Sequence, residues 1–176
     1  MKSRKRSPPA TRGGRPGANS FISSPPHPVS MQDSFKAGLD FERHVIGLFG
    51  KDFKIIKWMR EGASKEEVDF GPDLEVEHAE SGDAFGVECK FRASHYRGRL
   101  PWAKEYQLRK YGRYREAGKP LFIVIGLGGA PERPDYMYCI PAWQAAHTML
   151  DADSLKRYRR DPMRKFRWDA RERRLI

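Results

Sequence analysis

Apolar positions near residue 34 recur every three or four residues, the spacing of one face of a helix. Ser34 is a residue type that caps helices, and Gly50 is a residue type that ends them, so the pattern predicts a helix from Ser34 to about Phe49. The stripe on its core face consists of Phe35, Leu39, Ile46 and Phe49, widened by Val45 and Leu48. Glu42 lies inside this stripe. A carboxylate at such a position is costly to bury unless it is paired or bound to a metal.

Short apolar segments further along the chain predict strands rather than helices. The predicted strands are 53–59, 73–77, 85–91, 121–127 and 136–140. The second and third are joined by a turn at Ser81-Gly82-Asp83. Segment 121–127, with the sequence LFIVIGL, is apolar throughout, which is typical of a strand buried on both faces.

Two further helices are predicted between and after these strands. One runs from Trp102 to Ala117 and is closed by Gly118, and a short one begins at Pro141 and runs through Leu150. Segments 61–67 and 95–101 are predicted to be loops. The order α-β-β-β-α-β-β-α predicts an α/β fold with a mixed central β-sheet flanked by helices and a parallel crossover before 121–127.

The net charge of +11 is distributed unevenly along the chain and suggests three regions. Residues 1–32 carry six Lys or Arg and no acid, in a Pro-, Gly- and Ser-rich composition that predicts a disordered tail. Residues 33–150, the predicted domain, are neutral, with 18 basic and 18 acidic residues. Residues 151–176 carry ten basic and five acidic residues and form either a phosphate-binding arm or a helix packed on the domain. The charged ends therefore suggest nucleic acid as a partner.

Composition excludes several other classes of protein. Cys89 and Cys139 are the only cysteines, so there is no disulfide framework or zinc-binding pattern, and a reducing, intracellular (cytoplasmic) setting is expected. No run of about 18 apolar residues predicts a membrane span. The sequence does not distinguish a monomer from a homodimer.

Acidic and basic residues at the centre of the sequence form a candidate catalytic pattern. Asp73 follows Pro72, and Glu88 and Lys90 lie in the next strand of the predicted hairpin. Because side chains alternate along a strand, Glu88 and Lys90 point to one face while Cys89 points to the other. Two carboxylates that meet across a hairpin repel unless a cation lies between them. Oxygen ligands suit Mg²⁺ or Mn²⁺, which can polarise a phosphodiester and activate a water. Lys90 then either activates the nucleophile or stabilises developing negative charge.

Four pieces in this order resemble the PD-(D/E)XK nuclease superfamily, which includes restriction endonucleases, Holliday-junction resolvases and recombination exonucleases. The resemblance covers segment 34–143. The matching pieces are Gly38-x-x-x-Glu42, Asp73, Glu88-Cys89-Lys90 and Gln107-x-x-x-Tyr111. The first and last are similar to motifs of the recombination-exonuclease branch. The superfamily is divergent, so the match indicates a nuclease without indicating which one.

The resemblance implies a metal-dependent deoxyribonuclease with the restriction endonuclease-like core. Asp73, Glu88 and the backbone carbonyl of Cys89 would hold the metal, and Glu42 would bind it through water or hold a second ion. Gln107 would be the fifth residue of the catalytic site, where it contacts phosphate or positions Lys90. Helical residues at the spacing of Gln107 and Tyr111 are also typical of packing.

The basic segment after the predicted hairpin mixes cations with aromatic residues, which suits contacts to nucleic acid. The residues predicted to contact nucleic acid are Arg92, Arg97, Arg99, Lys104 and Tyr111. A non-catalytic nucleic-acid-binding module that keeps a nuclease fold is the alternative, and a small interaction protein with basic tails is a third reading. The presence of all three catalytic residue types favours the enzyme.

Overall fold

The structure, a computed structural model, describes residues 31–59 and 71–176. Residues 1–30 of the predicted tail (1–32) and the predicted loop at 61–67 lie outside the described residues, whereas residues 31 and 32 belong to a helix and not to a tail. The helices are α1 (Met31–Leu48), α2 (Glu105–Glu116) and the short α3 (Ala152–Leu155), with 3-10 turns at Ala142–Gln144 and Lys156–Tyr158. The strands are β1 (Phe53–Trp58), β2 (Leu74–His78), β3 (Ala84–Arg92), β4 (Arg99–Pro101), β5 (Leu121–Leu127), β6 (Tyr136–Pro141), β7 (Met149–Asp151), β8 (Arg159–Arg160), β9 (Trp168–Asp169) and β10 (Arg174–Leu175).

A six-stranded sheet forms the centre of the fold, in the order β1-β2-β3-β5-β6-β8. Strands β3 and β5 are parallel, and the other neighbouring pairs are antiparallel. The parallel pair requires a crossover, which α2 provides between the two strands. The predicted mixed sheet and its parallel crossover are therefore confirmed.

Each face of the sheet carries its own apolar core, which explains why β5 is buried along its whole length. The core on the α1 face includes Phe41, Val45, Leu48, Val76, Val87 and Val124. The core on the α2 face includes Trp102, Tyr111, Ile123, Ile125 and Ile140. Alternate residues of β5 thus enter opposite cores.

Helix α1 begins at Met31, three residues before the predicted cap at Ser34. Its predicted core stripe was partly wrong, because Phe35 is 58 % exposed and Phe41 is fully buried. The ring of Phe41 packs where β5 has Gly126, and a Cβ at Gly126 would overlap that ring. Because Gly126 has no side chain, the ring of Phe41 fits against β5. This contact joins residues far apart in the sequence, so the periodicity along α1 does not reveal it.

Three predictions on the α2 side of the sheet were wrong. Helix α2 begins at Glu105 instead of Trp102, whose indole is buried and donates a hydrogen bond to the His147 carbonyl at 2.6 Å. The predicted helix 141–150 is a 3-10 turn followed by β7, which pairs with β4. Strand β4 likewise lies within the predicted loop 95–101. The end of α2 was predicted correctly, since Gly118 has a φ of +77°.

The C-terminal segment packs on the domain, as the second of the two alternatives from the sequence has it, but it does so mainly as short strands and not as one helix. Strand β8 forms an edge of the main sheet, and β9 pairs with β10. Phe166 and Leu175 are 3 % and 4 % exposed within the core on the α1 face. Among the described residues, no helix is both long and apolar enough to cross a membrane.

Candidate active site

A polar cleft of about 280 Å³ opens at one end of the sheet, between the first half of α1 and the first turn of α2. Its lining residues include Ser34, Gly38, Glu42, Asp73, Cys89, Lys90, Phe91, Arg92, Lys104, Tyr106 and Gln107. Four of the five residues predicted to be catalytic line this cleft. The fifth, Glu88, is 2 % exposed and lies directly behind it.

Asp73 is fixed at the point where β2 begins. Leu74, the first residue of β2, pairs with Val87, so Asp73 lies beside the next residues of β3. The Cys89 N–H donates a hydrogen bond to Asp73 Oδ2 at 2.8 Å. Because the N–H and C=O of one strand residue point to the same side, the Cys89 carbonyl also points toward Asp73. This is the carbonyl that the resemblance assigns to the metal.

Lys90 lies between the two carboxylates. Its Nζ forms an ion pair with Glu88 Oε1 and lies 4.0 Å from Asp73 Oδ2. Burial alone would lower the pKa of Lys90, but the negative charges of Glu88 and Asp73 outweigh burial and raise the pKa above its ordinary value. Lys90 therefore holds its proton firmly.

The electrostatics of Asp73 show that the carboxylates converge. Burial, then repulsion by Glu88, raise the pKa of Asp73 to about 7, and Glu42 adds to the repulsion. Lys90 and the Cys89 N–H act in the opposite direction. Glu42 is 3 % exposed, and its Oε2 accepts a hydrogen bond from Trp58 Nε1 at 2.9 Å. Glu42, Asp73, Glu88 and Lys90 therefore lie close enough at this end of the sheet for their charges to interact.

The donor atoms of this cluster fit a hard cation. Within residues 31–59 and 71–176, no three His, Cys, Asp or Glu side chains are already arranged to hold a metal ion. However, Glu88 Oε2 is buried and has no hydrogen-bond partner. The pKa of Asp73 is raised first by its burial and then by the charge of Glu88, and Lys90 does not fully offset these effects. All the donors are oxygen atoms, which Mg²⁺ and Mn²⁺ prefer.

Gln107 and Tyr111 both lie on α2, but they are placed differently. Gln107 lines the cleft, and its side-chain oxygen accepts a hydrogen bond from the Lys104 N–H at 2.9 Å, which fixes the first turn of α2. Tyr111 is only 5 % exposed and stacks on Trp102, so the prediction that it contacts nucleic acid directly is corrected. Burial, then the charge of Glu88, raise the pKa of the Tyr111 hydroxyl above its ordinary value. Among residues 31–59 and 71–176, no group meets hydrogen-bond geometry with that hydroxyl.

The predicted nucleic-acid contacts after β3 also divide into two kinds. The guanidinium of Arg92 donates to the carbonyls of Phe91, Pro101 and Trp102, so it holds the polypeptide at the cleft wall instead of facing substrate. Its assignment as a nucleic-acid contact is therefore corrected. The exposed cations of this group are Arg97, Arg99 and Lys104.

Sequence reasoning missed two residues of the site. Trp58 holds Glu42 through its indole N–H, although it lies in a different element and no spacing relates the two. Tyr106 is 57 % exposed and lines the cleft beside Lys104 and Gln107. Its place in the first turn of α2, next to Gln107, is a signal that could have identified it.

A helix, a three-stranded antiparallel meander, a crossover helix and a parallel strand, with Asp, Glu and Lys at the end of the meander, define the restriction endonuclease-like fold. The chain has this order of elements, and the predicted restriction endonuclease-like fold is confirmed. Among solved structures it is similar to the Holliday junction resolvase Hjc of Archaeoglobus fulgidus, an archaeal hyperthermophile. The TM-score is 0.51 and the identity 17 %, over 72 % of this chain and 97 % of that one. No protein-family model and no curated protein matches the sequence.

Proposed function

We propose that the protein is a metal-dependent nuclease that hydrolyses phosphodiester bonds in DNA. The observation that carries this proposal is the cluster of Asp73, Glu88 and Lys90 at the cleft, with Lys90 in contact with Glu88 and 4.0 Å from Asp73. The similarity of the fold to a Holliday junction resolvase supports DNA as the nucleic acid.

Asp73, Glu88 and the Cys89 carbonyl would hold Mg²⁺ or Mn²⁺, and Glu42 would bind it through water or hold a second ion. The metal supplies polarisation of the phosphate and a bound water of lowered pKa. Glu88 would then interact with two cations, because Oε1 contacts Lys90 and the buried Oε2 has no hydrogen-bond partner among the described residues.

Lys90 would act as a cation and not as a base. In the metal-free protein the charges of Glu88 and Asp73 raise the pKa of Lys90, and a protonated Lys90 would donate hydrogen bonds to an oxygen on which negative charge develops. Of the two roles that the sequence left open, this charge state supports stabilisation of negative charge.

The cleft entrance provides contacts for the nucleic-acid backbone and bases. Lys104 is exposed on the cleft wall, and Arg97 and Arg99 lie on the preceding turn. Tyr106 adds an exposed aromatic ring at the same entrance. Cations next to an aromatic ring fit phosphate contact with base stacking.

The test is cleavage of linear, circular, branched and single-stranded DNA, and of RNA, each with Mg²⁺, Mn²⁺ or EDTA. We expect cleavage of DNA with either metal and none with EDTA. Asp73→Asn and Glu88→Gln should remove cleavage and weaken Mg²⁺ binding. Glu80→Gln removes a carboxylate from the exposed turn at the far end of the same hairpin and is the matched control.

The alternative, a nucleic-acid-binding module without activity, predicts a different result. Wild-type protein would then bind DNA but cut none of the substrates with any metal, and Asp73→Asn would bind DNA as the wild type does. That outcome would reject the proposed nuclease activity and favour the non-catalytic binding module.

A further inference from the structure

We propose that a second nucleic-acid-binding site, separate from the cleft, takes a single-stranded segment along the β6–β8 side of the sheet. We call it the arginine groove and define it by its exposed residues, which are Arg115, Trp143, Arg157, Arg159, Arg173 and Arg174. None of these residues belongs to the cleft or to the catalytic cluster.

The groove is continuous because neighbouring hollows share their walls. A hollow of about 430 Å³ next to β8 and one of about 310 Å³ beside Trp143 have Pro141 and Arg174 in common. A smaller hollow of about 140 Å³ lies on the other side of Trp143 and shares Arg115 with the second. Trp143 therefore projects between two depressions at one end of an arginine-lined path.

The charge of the groove is strongly one-sided. Among the residues that the structure describes, none of its five arginines has a carboxylate within ion-pair distance, and Glu172 is the one acidic side chain on its walls. Arg160 adds a sixth charge beneath it, stacked on Phe166, with two buried guanidinium nitrogens that have no hydrogen-bond partner. Such a concentration of unneutralised cations fits a polyanion backbone.

Aromatic side chains hold two of the cations in place. The guanidinium of Arg157 lies 4.9 Å from the ring centre of Tyr158, and that of Arg159 lies 4.7 Å from the ring centre of Tyr136. These stacked positions leave the N–H groups of the guanidinium edges available to phosphate.

Trp143 points to single strands rather than duplex. It is 60 % exposed, and its indole N–H makes no hydrogen bond to the described residues. The other three tryptophans of the chain, Trp58, Trp102 and Trp168, all donate hydrogen bonds from Nε1. A base can stack on an exposed indole only when it is not already stacked within a duplex.

The groove and the cleft are separated by α2 and linked by one side chain. Tyr111 lines the smallest hollow, of about 140 Å³, while its hydroxyl lies near enough to Glu88 for that charge to raise the pKa of the hydroxyl. A nucleic acid with both duplex and single-stranded parts could therefore occupy both sites of one molecule.

The first test measures affinity of the full chain for a fluorescent oligothymidylate by anisotropy in EDTA, over a range of salt concentrations. We expect Arg157→Gln/Arg174→Gln to lower affinity about tenfold and to reduce the slope of log affinity against log salt by about 1.4, for two phosphate contacts. The control Lys51→Gln/Lys54→Gln removes the same charge from exposed positions at the β1 edge, at the opposite side of the sheet. An equal loss in both variants would overturn the site.

The second test separates single strands from duplex. Trp143→Ala should weaken oligothymidylate binding about tenfold without changing the salt slope, since stacking releases no counterions, and Trp143→Phe should restore most of the affinity. Affinity for a duplex of the same length should be unchanged. Unchanged single-strand affinity, or an equal loss for duplex, would overturn the proposal. Because no metal is present, neither result bears on whether the cleft cuts DNA.

Discussion

At the scale of single residues, Lys90 acts as a counter-ion within a buried acidic cluster. Glu88 is 2 % exposed and relies on Lys90, which is itself 16 % exposed, for neutralisation. A buried carboxylate without its partner is strongly destabilising, whereas an exposed ion pair contributes little. Lys90 should therefore matter both for folding stability and for cleavage.

Lys90→Ala should reduce cleavage about 100-fold or more while DNA affinity stays nearly unchanged, because lysine is not a metal ligand. In EDTA it should also lower the free energy of unfolding by about 3 kcal/mol, because Glu88 is left unpaired. Urea unfolding and a cleavage time course measure the two effects. Lys119→Ala removes an exposed pair with Glu75 at 3.8 Å and should change the free energy of unfolding by less than about 1 kcal/mol. Wild-type cleavage by Lys90→Ala would refute the assigned role.

The pKa of Asp73 gives a pH dependence of stability. It is raised from 3.8 in the unfolded chain to about 7 in the folded one, so between these values the folded state binds the additional proton. Stability from this group is therefore present at low pH and is lost as pH rises through 7. In EDTA, wild type should therefore lose stability between pH 4 and pH 8 relative to Asp73→Asn, which lacks this titrating group. The free energy of unfolding of Asp73→Asn minus that of wild type should rise over this range by at most about 4 kcal/mol. A difference that is flat with pH would show that Asp73 titrates normally.

The placement of residues that follows from strand alternation could be predicted from the sequence. The placement of residues that depends on contacts with distant parts of the chain could not. The alternation of β3 correctly separates Glu88 and Lys90 from Cys89, which enters the core on the α1 face. Arg92 looked like a surface cation, but its hydrogen-bond acceptors include carbonyls nine and ten residues away. Tyr111 looked accessible because the packing of α2 on Trp102 is not visible in the spacing of α2.

At the scale of elements, the position of α1 on the sheet depends on one glycine of β5. The ring of Phe41 occupies the space in which a side chain at Gly126 would lie. Phe41 directly precedes Glu42 in α1. A substitution that displaces the Phe41 ring should therefore also displace the Glu42 carboxylate at the cleft.

Gly126→Ala should lower the free energy of unfolding by about 1–3 kcal/mol, the range for overpacking a filled core, and should reduce cleavage by displacing Glu42. Gly47→Ala is the matched control, because Gly47 lies in α1 and a Cβ there would contact nothing within 4 Å. Replacing that helical glycine should raise stability by up to about 1 kcal/mol. Thermal unfolding of both variants measures the contrast. Equal effects would show that Phe41 can repack freely.

Among the elements, long apolar segments were predicted well and short pairings were not. Strand β5 matches its predicted bounds because seven apolar residues in succession need no partner to be recognised. Strand β7 was predicted as part of a helix, since its three residues become a strand only by pairing with β4, about fifty residues earlier. A pairing of that range has no local signal.

At the scale of the whole molecule, the two basic ends of the chain lie at different places. The basic C-terminal segment follows the β8 edge of the sheet and supplies four arginines of the arginine groove. Residues 1–30 join the domain at Met31, and the first half of α1 lines the cleft through Ser34 and Gly38. Residues 1–30 carry six Lys or Arg and directly precede this helix in the sequence.

Deleting residues 1–30 should weaken duplex binding and flatten its salt dependence while the fold stays intact. The deletion removes six Lys or Arg, and each phosphate contact adds about 0.9 to the slope of log affinity against log salt, so the slope should fall by up to about 5. The truncation belongs at residue 30, because α1 already includes Met31. Turnover at saturating DNA should change little, since every proposed catalytic residue lies after it. The measurement is the salt slope of the full chain and of residues 31–176 on one duplex in EDTA. Equal slopes would show that this segment does not contact phosphate and that the folded domain alone sets the affinity.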